Sequence, residues 1–332
     1  MDFNFKVSAM ILKRLLAASL CLAIACQPCF GWSEGGHHLI AKMAFDLLPP
    51  HQQAEVRQIL ARHPRLTEDF RVPRNIRSEG DVQAWTIGRA GYWPDVARSQ
   101  PQYDRPTWHY QLGSTLTIGD SVTVPSSPGP LLPGASLATQ ELHLAQAVEL
   151  CRNVLRDKSR PEDRAVALCW LLHLVGDSHQ PCHAGSLYYA GIFPEGDRGA
   201  NGIPTVQGRN VHAVWDNLLG PQFDPADSRR RAAAIQDDAT TWNEARQAAS
   251  ETTGLDPLQW LKESNEYGRS HVYTVDVLNA VEAAKRSGTD VVAPIDLPEE
   301  YLKSAGALAR KRAAFAVQRL ALILQQDLEA AH

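Results

Sequence analysis

Apolar positions along the chain recur with the three-to-four-residue spacing of helices, not with the alternation of strands. That spacing predicts helices over residues 34–48 and 51–62, and a weaker one over 80–92 that Pro94 stops. Ser136 is placed to cap a helix running through Asp157, with Leu142, Ala145, Val148 and Leu155 as its apolar positions. Pro161 suits the first turn of the next helix, which runs to about Ser178 and is apolar almost all round. A helix of that kind is buried on every side and belongs at the centre of a fold. Further helices are expected at about 207–219, 226–249, 256–284 and 297–330. Only a short piece around residues 114–124 alternates as a strand would. The expected fold class is all-α: a helical bundle with two long connections, residues 98–135 and 184–206, rich in Gly, Pro and Ser. Loops of that length in a compact domain usually carry function.

The central helix contains a contradiction. Its apolar run, AVALCWLLHLVGDSHQPCH, ends in three histidines and an aspartate where leucine would serve a core better. His173 and Asp177 are four apart and share one helix face. Pro181 ends the helix and His183 follows in the turn. Downstream, NVHAVWDN repeats the device with His212 and Asp216. Imidazole plus carboxylate, with no required thiolate, suits zinc in a hydrolytic site. One His-x3-Asp pair is a common accident, equally explained by a core histidine bonded to a carboxylate. Two pairs, one inside a buried helix, carry more weight, because burying so many ionisable groups without a counter-ion is very costly. Two further stretches add donors of the same kind. WSEGGHHLIAKMA brings His37, and YWPDVAR with TWHYQ brings Asp95 and His109.

The first thirty-one residues read as a removable leader. Lys6, Lys13 and Arg14 precede an apolar run from Leu15 to Ala25, followed by QPCFG. This is the layout of a secretory signal peptide, and the run is too short to span a bilayer comfortably. Cleavage after Gly31 makes Trp32 the new N-terminus, whose α-amino group and carbonyl can chelate a metal in a five-membered ring. The rival is lipoprotein anchoring at Cys26, since Ala25-Cys26 is a weak lipobox-like pair. The expected location is secreted or periplasmic, with residues 32–332 as one domain. Removing the leader takes away three basic side chains and one acid, and the formal charge moves from −4 to −6. Such a surface argues against a broad electrostatic grip on duplex DNA, though not against a site where metal supplies the positive charge. Cys151, Cys169 and Cys182 remain, too few for a disulfide framework; the first two sit in apolar helical settings and read as buried thiols.

In these pieces the chain resembles the S1/P1 family of secreted zinc nucleases. The matching motifs are Trp32 to His37, WPD at Trp93 to Asp95, WHY at Trp108 to Tyr110, WLLHLVGDSHQPCH at Trp170 to His183, GDRGAN at Gly196 to Asn201 and NVHAVWD at Asn210 to Asp216. The C-terminal third matches more loosely, through WLKES at 260–264 and the closing Ala/Leu-rich helix. The resemblance implies a trinuclear zinc centre. One ion takes Asp95, His109, His173 and Asp177. A close neighbour takes Trp32, His37 and the shared Asp177, and a third takes His183, His212 and Asp216. It implies a phosphodiester hydrolase acting on single-stranded DNA and RNA, with 3′-nucleotidase activity a further prospect. Metal-activated hydroxide attacks phosphorus and leaves 5′-phosphate products. Asp177 bridges two ions, and Asp95 can also orient the nucleophile.

The same resemblance places Arg98 and Asn217 near substrate, and Tyr110, next to His109, offers an aromatic face for stacking on a base. A solvated arginine, a core tyrosine and a helix-surface amide are the plain alternatives. Fungal members carry a base-reading aspartate three residues after the histidine that His109 matches; here Leu112 stands instead. Tyr188 and Tyr189 offer other stacking faces. Ala200 departs from the family's GGN turn. His38, His51, His63, His143, His271 and His332 lack partners at useful spacing, and His179 reads as a support to ligands, not a ligand. Two other functions remain open: a zinc phospholipase C of similar fold, whose last carboxylate ligand is typically Glu, and a non-catalytic secreted zinc-binding protein. No stable protein partner is implied, no transmembrane segment remains after processing, and a monomer is expected.

Overall fold

A computed structural model describes residues 31–331. The leader reading, Cys26 included, falls outside the described residues except for Gly31. Twelve α-helices and two short strands are present among the described residues. Helix α1 spans Glu34–Asp46 and α2 spans Pro50–Leu60, with Pro50 in the first turn, where its missing N–H costs nothing. After the single turn α3, Leu66–Asp69, comes α4, Glu79–Val96. Ser78 caps α4 by accepting the Asp81 N–H at 3.1 Å.

Helix α4 passes through Pro94, where the sequence predicted a stop. The proline sits in the last turn, so few residues depend on the bond it removes. Packing of α4 against α1 and the central helix outweighs the penalty of about 3 kcal/mol for a helix-interior proline. Asp95 is thereby placed on a helix and not in a loop. The helix expected from Ser136 begins later, as α5, Leu144–Arg156. His143 is its cap, in a reciprocal box with Gln146, while Ser136 spends its hydroxyl on the Ala138 N–H in a local turn.

Helix α6, Pro161–Ser178, is buried continuously from Arg164 to its end, as its all-round apolar character predicts. It lies against α1, α2, α4 and α5. Strand β1, Ser114–Ile118, pairs in parallel with β2, Ser186–Tyr189. Helix α7, Val211–Asp216, starts at an Asn210 cap, later than the predicted residue 207. The predicted 226–249 helix is divided by Asp238, which caps a new start, into α8, Pro225–Asp237, and α9, Ala239–Ser250. The predicted 256–284 helix becomes α10, Pro257–Tyr267, a π-turn at Gly268–Val272, and α11, Val275–Arg286. Helix α12, Glu299–Glu329, closes the chain.

Two apolar clusters result. The larger joins α1, α2, α4, α5, α6 and the C-terminal half of α12. The smaller gathers β2, the following loop, α7, α11 and the start of α12. Cys151, Cys169 and Cys182 are all buried. No helix among the described residues is long and apolar enough to cross a membrane.

Candidate metal centre

The donors predicted from five separate stretches meet at the end of α6. His37 comes from the first turns of α1, Asp95 from the last turn of α4, and His109 from a 3₁₀ turn, Pro106–His109. His173 and Asp177 project from α6, His183 from the 3₁₀ turn Pro181–His183, and His212 and Asp216 from α7. Trp32 is fully buried beside them, its indole N–H donating to the Gly176 carbonyl at 3.0 Å.

Asp177 is the hub. Its Oδ1 lies 3.3 Å from His37 Nε2, and its Oδ2 lies 3.1 Å from both His109 Nδ1 and His173 Nε2. His183 Nδ1 is 3.9 Å from the same carboxylate. His37 stacks on His173 with ring centroids 3.9 Å apart. Across the site, His183 Nε2 faces His212 Nε2 at 3.2 Å, and His212 Nε2 lies 3.5 Å from Asp216 Oδ1. Three groups have ligand atoms within 4.8 Å of one another: His37–His173–Asp177, Asp95–His109–His173 and His183–His212–Asp216.

The backbone fixes how these rings are protonated. His173 Nδ1 donates to Gly91 O at 2.8 Å, and His212 Nδ1 donates to Gly199 O at 2.6 Å. His183 Nδ1 bonds the His109 carbonyl. Each neutral ring has spent its one proton on the backbone, so Nε2 presents a lone pair. His183 and His212 then oppose two lone pairs at 3.2 Å, an arrangement that a cation between them resolves. His37 Nδ1 and Nε2, Asp95 Oδ2, His109 Nε2 and Asp177 Oδ1 are buried with no hydrogen-bond partner. Unsatisfied buried polar atoms are rare and costly. Among them His37 Nε2 and Asp177 Oδ1 face each other at 3.3 Å, and a donor set of imidazoles and carboxylates fits a divalent cation.

The ionisation pattern agrees. Burial lowers His37, and burial together with the Arg98 charge pushes His109 down to about 3. Burial works against the charge on His173 too, but the Asp177 and Asp95 carboxylates outweigh it and raise its pKa. Burial would raise Asp177, yet the surrounding imidazoles hold it well below the usual carboxylate range. Asp216, with fewer compensating groups, is pushed by burial up to about 8. Protons alone leave this cluster poorly balanced.

A family profile described as S1/P1 Nuclease matches residues 32–329. The chain belongs to the S1/P1 nuclease family. Nuclease S1 of Aspergillus oryzae is 21% identical over 215 residues, which covers 63% of this chain and 61% of that protein. Endonuclease 3 of Arabidopsis thaliana is 23% identical over 222 residues, 64% of this chain and 59% of the relative. Endonuclease 4 of the same plant is 43% identical over 56 residues, 16% of each chain. The chain therefore spans less than two thirds of the length of each of these relatives.

The S1/P1 assignment directs attention to the rim. Asp95 and Asp216 are 7% and 5% exposed, whereas the other seven predicted ligands are at most 1% exposed. The Asp95 side chain is itself fully buried, whereas the Asp216 side chain keeps 7% exposure, so the cluster comes nearest to solvent at Asp216. Arg98 pairs with Asp95, its Nε donating to Asp95 Oδ1 at 2.9 Å. Asn217 is exposed next to Asp216 and accepts a hydrogen bond from Ser33 at 2.6 Å. Tyr110 is half-buried, edge-on to His143 at 5.6 Å. Leu112 is half-buried in the connection to β1. Tyr188 and Tyr189 are not exposed stacking faces: both are buried in β2, and Tyr189 bonds Glu282.

His179 is turned away from the cluster. It lies against Trp260 with centroids 5.5 Å apart and receives a hydrogen bond from Arg319 at 2.9 Å. Sequence reasoning missed Gln180, whose amide donates to Asp216 Oδ1 at 2.7 Å, and the carbonyls of Gly91 and Gly199. Gln180 lay inside a quoted motif and its proximity to the histidines was a usable signal. A backbone carbonyl has none.

Proposed function

We propose that this chain is a zinc-dependent nuclease that hydrolyses phosphodiester bonds in single-stranded DNA and RNA and releases 5′-phosphate products. The observation that carries the reading is the convergence of buried imidazole and carboxylate groups around Asp177, among them the unpartnered His37 Nε2 and Asp177 Oδ1. Asp95, His109, His173 and Asp177 would hold one zinc ion. Trp32, His37 and Asp177 would hold a second, and His183, His212 and Asp216 a third. Zinc held there supplies Lewis acidity and makes water a nucleophile near neutral pH.

The protein's own part is placement. Asp177 presents both carboxylate oxygens to different imidazoles, which sets two groups side by side. Asp95 can accept a hydrogen bond from the attacking water and orient it towards phosphorus. Arg98, already paired with Asp95, can turn its remaining N–H groups to a phosphate oxygen, which an arginine fork suits. Asn217 offers an amide at the leaving-oxygen side, and Tyr110 an aromatic face to a base. Export through a cleaved leader accords with the need for a free Trp32 amino group.

Release of 5′-nucleotides from single-stranded DNA and RNA, lost with EDTA and restored by zinc, is the expected result. Cleavage of phosphatidylcholine without turnover of nucleic acid would replace this reading with a phospholipase, and zinc uptake without any turnover with a binding protein. Arg98→Ala should raise KM by roughly tenfold to a hundredfold, the loss of one charge-assisted hydrogen bond, with a smaller effect on kcat.

A further inference from the structure

One face of α10 grips the segment that joins Asp177 to His183 at both of its ends. Ser264 Oγ donates to the Ser178 carbonyl at 2.7 Å, and the next residue, Asn265, donates to the Ala184 carbonyl at 3.0 Å. Between these anchors lie His179, Gln180, Pro181, Cys182 and His183. This stretch supplies one predicted ligand and, through Gln180, a hydrogen bond to another.

The anchors are themselves held. Arg312 Nη2 donates to Ser264 Oγ at 2.8 Å, and Asn265 also donates to Ser114 O at 3.1 Å. Glu263 joins Arg312 and Arg319 with contacts of 2.7 to 2.8 Å. Arg319 donates to His179 Nε2 while His179 Nδ1 donates to Val175 O at 2.7 Å, so the ring is fixed as one neutral tautomer.

The last four carbonyls of a helix have no intrahelical partner, and helix ends fray. A metal cluster built across such an end needs it pinned, because ligand distances tolerate only about 0.2 Å. Apolar packing alone holds a helix end against rotation less tightly than directed hydrogen bonds to its terminal carbonyls. Two adjacent side chains on α10 bind carbonyls on either side of the turn, which fixes its span.

We infer that Ser264 and Asn265 are positioning residues that set the distance between the Asp177-centred ligand groups and the His183–His212–Asp216 group. The inference rests on the metal-centre reading above. Removing a support of this kind weakens metal binding by roughly 10- to 100-fold.

The test compares the full chain with its Ser264→Ala, Ser264→Thr and Asn265→Ala variants. Zinc equivalents are measured by elemental analysis after equilibration in zinc buffers of defined free concentration. Cobalt(II) substitution gives visible spectra, and circular dichroism follows folding. The expected result is that Asn265→Ala folds, keeps the Asp177-centred sites filled and loses one equivalent over a free-zinc range that saturates the parent, with an altered cobalt spectrum. Ser264→Ala should behave likewise and Ser264→Thr should restore the parent behaviour. Asn265 is half-buried, so its variant carries the test even where Ser264→Ala does not fold. Zinc affinities and cobalt spectra identical to the parent in folded Asn265→Ala would overturn the inference alone. A parent chain that takes up fewer than two equivalents overturns the metal centre and the inference with it.

Discussion

Gly199 shows how little of the site's support lies in side chains. Its carbonyl accepts the His212 Nδ1 proton, its φ is +62°, and a Cβ built on it would stand 2.1 Å from the Cys182 carbonyl oxygen. Gly199→Ala must therefore move one of two backbones. The expected destabilisation is at least about 1–2 kcal/mol from the left-handed backbone alone, read as a lower thermal midpoint. Zinc content should fall with it, because His212 loses its fixed orientation. Ala200, the departure from the family turn, also has positive φ, +67°, so the turn keeps its conformation under strain. At this scale the two pairs His173–Asp177 and His212–Asp216 were legible as candidate donors because ionisable residues stand there in a helical spacing that a core does not want. Gly199 was not, since its role is a carbonyl direction set by a turn.

Helix starts and stops were read less well than helix existence. Pro94 and Ser136 are local signals: packing of α4 prevailed over the first, and a competing local signal, the His143–Gln146 box, over the second. The all-round apolar α6 was legible throughout, because burial on every side leaves no ambiguity of face. The tie between α10 and α12 was not, since Glu263, Arg312 and Arg319 lie far apart in sequence. Burial would raise Glu263, but hydrogen bonds and charge from Arg319 and Arg312 lower it from its usual 4.5 to about 2. A depressed carboxylate contributes stability that is present above the unfolded pKa and lost as pH falls through the folded one. The window is thus about pH 4.5 down to 2. Glu263→Gln should be less stable than the parent at neutral pH, and the gap should narrow across that window in chemical-denaturation series.

At the scale of the whole molecule, charge matters most, and residues 32–332 carry a formal −6. Nucleic acid should be gripped by the centre and a few rim groups. KM for a single-stranded oligonucleotide should rise less than about tenfold between 50 and 200 mM salt, against the 10³–10⁵ loss of proteins with many phosphate contacts. A Cβ built on Gly31 would stand 1.6 Å from Asp177 Oδ1 and 3.0 Å from His37 Nε2. Gly31 therefore crowds the space beside Asp177 and His37 where a cation would lie. A chain beginning at Trp32 should bind one more zinc equivalent than one retaining Gly31 and its predecessors, as native mass spectrometry would read directly.

That crowding at Gly31 has a consequence for the nitrogen beside it. Joined to Gly31, the Trp32 nitrogen is an amide with no lone pair to offer. Under the zinc reading proposed above, the bond that crowds Asp177 would also silence a donor.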